Sequence, residues 1–285
     1  MEISDQISKM SILPSRFMIM LEQALYAVGD EQERKELCLV ACVISNATWR
    51  YWQNWRSPED NRQEHEWIVF ANVMKIAESE NLSLPERRIA TAFCFTHDTF
   101  FIKRVMEEEI RRLEAEGLKE QADQLRLMKK NQRIEHMNGG AENAEYLLTR
   151  LMHPDMPAMP LFIQKEIQRC VDIVRKHDLW KVTPPIPPST SDRLALTCIE
   201  GDMLWPLHPL GVLADLERPG REGMSKDSCN AVNWHSQLCE SLKTLIEFRS
   251  KWENIPDEDF IDKESIFRTK EGHRLYSEWR NFWNL

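Results

Sequence analysis

Apolar residues recur at steps of three and four along almost the whole chain, the spacing that gives a helix one apolar face. Over residues 15–28 the stripe is Phe17, Met20, Leu21, Ala24 and Val28. A second helix is predicted from Glu31 to about Trp55 with Leu37, Val40, Val43 and Ile44 inward, and a third from about Glu64 to Glu80 with Trp67, Phe70, Val73 and Ile76. Ser83, Pro85 and Glu86 mark the start of a fourth. They supply a capping hydroxyl, a residue that needs no amide partner in the first turn, and an acid three residues after the cap. This helix carries Ile89, Ala90, Phe93 and Cys94 inward and reaches His97-Asp98.

Residues 101–130 break the pattern. The stretch is dense in charge, with opposite signs four apart such as Glu107 and Arg111, and its apolar stripe is thin and interrupted by Gly117. It reads as an insertion of two helices projecting from the body, whether as a solvated hairpin, a lid or a subunit contact. Asn138-Gly139-Gly140 then leads into a helix from Ala141 to about Met152, and HPDMPAMP breaks the chain. A helix over Leu161–Lys176 is followed by VTPPIPPST, whose four prolines impose an extended crossing. Helices are expected again over Asp192–Leu204 and Asn233–Arg249, with a loop that has room for one short helix between them. The aromatic tail (Trp252, Phe260, Phe267, Tyr276, Trp279) folds back as a helix on the body or covers a second subunit in a homodimer. With no set of alternating strands, helix on helix is the remaining layered solution, so the expected fold is all-α: one helical bundle spanning residues 1–285.

Composition changes this picture little. At 42% hydrophobic and 29% charged, the 285 residues read as an ordinary soluble protein. The net charge of -9 argues against wrapping a long nucleic acid, but leaves room for a small anionic ligand in a locally positive pocket. No apolar run is long enough to span a membrane. The N-terminus has two early acids and no basic leader, so a cytoplasmic location is expected. Seven cysteines, most of them in apolar helical positions, read as free thiols. Cys38 and Cys42 lack a second pair with which to build a tetrahedral metal site.

The chemistry concentrates in six residues. His97 and Asp98 follow the apolar run TAFCFT, where an ionised carboxylate is costly unless a cation or hydrogen bonds compensate it. Adjacent residues point about 100 degrees apart around a helix, which suits a carboxylate bridging two ions while the imidazole binds one. His65 starts the third helix, His136 precedes the small residues Gly139-Gly140-Ala141, His177 ends VDIVRKHD, and Asp202 lies among apolar neighbours in LALTCIEGDMLW. Four imidazoles and two carboxylates suffice for two divalent ions, with positions left for water or substrate. Glu66, Glu135 and Asp172 are near enough in sequence to orient the rings. Met152, Met156 and Met159 could form a flexible rim, and Trp205–Gly211, with His208, is the expected pocket wall.

In order and helical context these six residues resemble the HD-domain superfamily of metal-dependent phosphohydrolases, in its dinuclear branch with two additional histidines. The first histidine of that pattern falls on His65, the adjacent pair on His97 and Asp98, the extra histidines on His136 and His177, and the closing aspartate on Asp202. The segment HMNGGAENAEYLL is similar to the family's stretch in which a histidine is followed by glycine and alanines. The likeness covers residues 60–215 and implies an HD-like helical core flanked by additional N- and C-terminal helices. It also implies two divalent ions (manganese, iron, magnesium, zinc or nickel) and hydrolysis of a phosphate ester or nucleotide, with His97, Asp98 and Asp202 at the reacting centre. Phosphate would be held by a cation, for which Lys103, Arg104, Lys176 and Arg193 are the candidates. Where relatives place a small or aliphatic residue and then glycine after the His-Asp pair, this chain has Thr99-Phe100-Phe101, which narrows the space above the ions. A smaller group with the same ligands, similar to the inositol and aminophosphonate oxygenases, loads two irons and implies an oxygen-using alternative.

Overall fold

The computed structural model describes residues 21–52 except 23 and 27, 64–100, 107–216 except 183, 231–252, and 255–282 except 257–259 and 263–264. The chain is mostly helical, as its periodicity indicates. Of the first expected helix, every described position from Leu21 to Tyr26 is helical, while Phe17 and Met20 lie outside the described residues. Then come α1 (Glu31–Trp52), α2 (Glu64–Ser79) and α3 (Leu84–Thr96). The start of α3 is fixed as its sequence suggests: the Glu86 carboxylate accepts hydrogen bonds from the Ser83 amide at 2.8 Å and the Ser83 hydroxyl at 2.6 Å.

The charged insertion contains α4 (Glu107–Ala115) and the long α5 (Lys119–Leu148), joined through Gly117 at φ 76°, a left-handed turn that glycine adopts without a Cβ clash. Ile110, Leu113, Ala122 and Leu125 form a small core of their own. Here the structure corrects the sequence reading, because α5 runs through Asn138-Gly139-Gly140 without a break and His136 sits within a helix rather than ahead of one. The two glycines are positions of close approach. A Cβ at Gly139 would run into the Phe100 ring, and one at Gly140 would lie 2.8 Å from the His97 carbonyl oxygen. Packing against the end of α3 offsets the helix-propensity cost of about 1 kcal/mol per glycine.

HPDMPAMP holds a second difference, a small antiparallel hairpin of β1 (Met152–His153) and β2 (Met156–Pro160). Next is α6 (Gln164–Val174), which ends short of the expected Lys176, and a 3-10 turn at Leu179–Lys181. The proline-rich crossing leads to α7 (Arg193–Met203), a 3-10 turn at Trp205–Leu207, α8 (Pro209–Leu216), α9 (Ala231–Ser250) and α10 (Lys270–Phe282).

Helix α3 is the hub, in contact with α1, α2, α5, α6 and α7. Its residues 89–96 are buried throughout, as are Trp67 and Phe70 of α2, whose rings meet that of Phe95 at 4.8 and 5.6 Å. Burying each such ring contributes roughly 2–3 kcal/mol. Arg88 ties the hub to its neighbours by reaching Glu36 of α1, Glu166 of α6 and the Leu161 carbonyl. Gly201 lets α7 close on α2, where a Cβ would meet the Val73 amide at 3.1 Å, and Asn72 donates to the Gly201 carbonyl at 3.1 Å. A second apolar cluster is built from Ile199, Met203, Leu204 and Leu207 with Trp252, Phe267, Tyr276 and Trp279. The aromatic tail thus covers the body of its own chain. Cys38, Cys42, Cys94, Cys170 and Cys198 are buried free thiols, and no helix among the described residues is long and apolar enough to cross a membrane.

Candidate metal centre

Five segments deliver the six singled-out side chains to one place. His65 enters from the first turn of α2, His97 and Asp98 from the end of α3, His136 from α5, His177 from the turn after α6, and Asp202 from the last turn of α7. His65 Nε2 lies 2.9 Å from His97 Nε2, and each of these nitrogens is 3.4 Å from Asp202 Oδ1. The two oxygens of Asp98 face different rings. Oδ2 is 3.2 Å from His65 Nε2, whereas Oδ1 is 3.1 Å from His136 Nε2, 3.8 Å from His177 Nε2 and 3.9 Å from His97 Nε2. His65, His97 and Asp98 form one group able to hold a metal ion, and Asp98, His136 and His177 form another. The carboxylate of Asp98 is common to both.

The rings are turned by the backbone. His97 Nδ1 lies 3.2 Å from the Phe93 and Cys94 carbonyls, His136 Nδ1 is 2.6 Å from the Phe100 carbonyl, and His177 Nδ1 is 2.7 Å from the Val174 carbonyl. A carbonyl only accepts, so each of these Nδ1 atoms carries a proton and each Nε2 is the nitrogen turned to the centre. Of the acids expected to orient the rings, Glu135 is exposed and Asp172 pairs with Gln168 and Arg175 on the surface. Backbone carbonyls take their place, those of Phe93, Cys94 and Val174 in the last turns of α3 and α6 and that of Phe100 in the chain after α3. His65 Nδ1 has no hydrogen-bond partner among the described residues.

The result is a concentration of lone pairs that needs positive charge. Burial opposes protonation of His97, yet Asp98 and Asp202 outweigh it and raise its pKa to about 9. Burial pushes Asp98 up, but His97, His136 and His65 hold it well below the usual carboxylate range, and His97 lowers Asp202 against its burial. His136 is raised because Asp98 overcomes its burial, whereas His177 is lowered, chiefly by burial. In a protein without metal, protons on the rings meet the demand. A divalent cation meets it with the donor set present, imidazole nitrogens and carboxylate oxygens that suit manganese, iron and zinc. The donor set therefore fits a metal ion.

Aromatic rings close the His65 and His97 side. Phe93 stacks on His97 at 4.8 Å with an interplanar angle of 18 degrees, and Trp205 meets His65 edge-on at 4.8 Å, placing it in the pocket wall. The other expected contacts fare differently. His208 packs edge-on against Trp279 at 5.0 Å, and burial together with Lys75 lowers its pKa to about 4, so it faces the C-terminal helix. Arg193 begins α7, at the opposite end from Asp202, and pairs with Glu80 at 3.3 Å. Nine residues of helix separate it from the centre by roughly 13 Å along the axis. Lys103 and Arg104 lie outside the described residues.

Sequence reasoning missed a cation group beside the centre. Asp178 follows the ligand His177 and is buried. Arg133 Nη1 reaches its Oδ2 at 2.7 Å and Lys181 Nζ its Oδ1 at 2.6 Å. Burial would raise Asp178, but Lys181, His177 and Arg133 hold it far below the ordinary carboxylate range. The dipeptide His177-Asp178 was the available signal, a second acid directly after a candidate ligand. No family model, no curated protein and no solved structure matches this chain.

Proposed function

We propose that this chain is a dinuclear metal-dependent hydrolase acting on a phosphate ester, of the HD type that its ligand order resembles. The observation that carries the reading is the Asp98 carboxylate common to both groups, with Oδ2 toward His65 and Oδ1 toward His136. His65, His97 and Asp202 would hold one ion with Asp98, and His136 and His177 the other. Bound there, two divalent ions would supply Lewis acidity toward phosphate oxygens and a water acidified toward neutral pH.

The protein's own part is preorganisation. Three rings are locked by carbonyls, so the donor atoms need no reorientation. Phe93 and Trp205 pack against His97 and His65 in the buried half. Asp98 and Asp202 stay ionised at neutral pH, and so supply the negative charge that bound cations would neutralise.

A second reading, a diiron oxygenase, draws on the same ligands and on the burial of His65 and His97 beneath aromatic rings. The test loads metal-free protein with manganese under anaerobic conditions and measures phosphate release from phosphate monoesters and nucleotides. The hydrolase reading expects turnover that disappears in Asp98→Ala. No release with manganese, together with oxygen uptake by the iron-loaded protein, would replace it with the oxygenase.

A further inference from the structure

Among the described residues, one edge of the centre meets solvent. The side chains of His65, His97, His177 and Asp202 are 0–7% exposed, whereas Asp98 is 24% and His136 19% exposed. Substrate must therefore arrive along the Asp98–His136 edge. Arg133 precedes His136 by three residues on α5, which puts the two side chains on the same face of the helix. Its side chain is 40% exposed, and Asp178 anchors it through Nη1. The turn bearing Asp178 is itself packed on α5, with its amide 3.3 Å from the Met137 sulfur.

The charges in this group do not cancel. Arg133 and Lys181 share one carboxylate, which leaves a net positive charge beside the opening. A guanidinium offers five N–H donors in a rigid fork, so one edge can hold Asp178 while the rest addresses an anion. Phosphate chemistry then decides which anion. A monoester has three non-bridging oxygens and about two charges near neutral pH, whereas a diester has two such oxygens and one charge. Two ions can neutralise two oxygens, so only the monoester has a third to offer.

Resting on the hydrolase reading, we propose that Arg133, held at the mouth by Asp178, binds the third oxygen of a terminal phosphoryl group and makes the enzyme a phosphomonoesterase. In the reaction a bond forms between water oxygen and phosphorus and the bond from phosphorus to the ester oxygen breaks. The protons of that water end on the alcohol and on the released phosphate. Arg133 touches substrate without exchanging a proton, since its guanidinium stays charged throughout.

The experiment uses the full chain loaded with manganese, as wild type, Arg133→Ala and Arg133→Lys, with metal content measured for each. The rates compared are those on p-nitrophenyl phosphate and bis(p-nitrophenyl) phosphate, together with calorimetric binding of inorganic phosphate. Wild type should prefer the monoester. Arg133→Ala should lower monoester kcat/KM and phosphate affinity by about tenfold or more, as loss of a charge-assisted contact does, and change diester turnover less than about twofold. Arg133→Lys, which keeps the charge and loses the fork, should show a smaller loss with the same selectivity. It also decides the matter if the alanine variant fails to fold. Equal losses on both esters, or a wild type that prefers the diester, overturn the proposal. If wild type binds phosphate through Arg133 yet hydrolyses neither ester, the hydrolase reading fails and the anion site stands. If no variant alters phosphate binding, the site itself is refuted.

Discussion

Gly140→Ala tests whether the metal centre depends on the close approach of α5 to α3. The added methyl would sit 2.8 Å from the His97 carbonyl oxygen and 3.4 Å from Val174 Cγ1. Normal carbon–oxygen contacts begin near 3.4 Å, so α5 and the end of α3 must part by roughly 0.5 Å. The oxygen is backbone and cannot swing away. Two effects oppose each other: alanine gains about 1 kcal/mol over glycine inside a helix, and overpacking costs about 1–3 kcal/mol. The net expectation is a loss of up to about 2 kcal/mol, or a fall in Tm of a few degrees for a chain of this size. The metal readout is more specific. Parting the helices lengthens the 3.1 Å separation of His136 Nε2 from Asp98 Oδ1, so the ion held by His136 and His177 should weaken while the other is kept. Thermal unfolding in chelator and a manganese titration measure the two effects. Gly29→Ala is the control, because a Cβ there meets nothing within 4 Å. A variant that gains the full helix-propensity increment and binds both ions as wild type does would refute the packing argument.

The pH dependence follows from His97. With its folded pKa raised to about 9 from an ordinary value near 6.5, the metal-free protein holds a proton there that the unfolded chain has released by pH 8. That contribution, at most about 3 kcal/mol, is fully present below pH 6.5 and lost as pH rises through 9; chemical denaturation of metal-free protein across this window should follow it. The same proton competes with metal, so manganese affinity measured against a chelator should climb from pH 6.5 to 9, and binding should release protons. Thr269→Val removes the hydroxyl that donates to buried Glu200 at 2.5 Å and accepts from the Gly272 amide at 3.1 Å. A loss of about 1–3 kcal/mol in denaturant unfolding is expected, and a neutral result would count against the Thr269 link between Glu200 and the first turn of α10.

The six candidate ligands could be found in the sequence because imidazoles and carboxylates on faces that otherwise read as core contradict the amphipathic pattern. The capping box of α3, the thin stripe and Gly117 break of the insertion, and the proline crossing were legible for local reasons of the same kind. What was hidden depends on partners distant in the chain. The continuity of α5 through Gly139-Gly140 rests on Phe100 and the His97 carbonyl, which no local propensity encodes. The carbonyls that orient three histidines leave no mark in residue identity, so nearby acids were the natural expectation in their place. Arg133, Asp178 and Lys181 read singly as surface charges and a turn. Only the packing of α5 on the turn after His177 makes them a group. The prolines and methionines of HPDMPAMP concealed a hairpin too short to show alternation.

The central claim is that Asp98 is shared by two ions, and metal analysis of the purified chain tests it directly. Wild type equilibrated with manganese should carry two ions, His136→Ala one, and Asp98→Ala none held tightly. Two tightly bound ions in Asp98→Ala, or fewer than one in wild type, would contradict it.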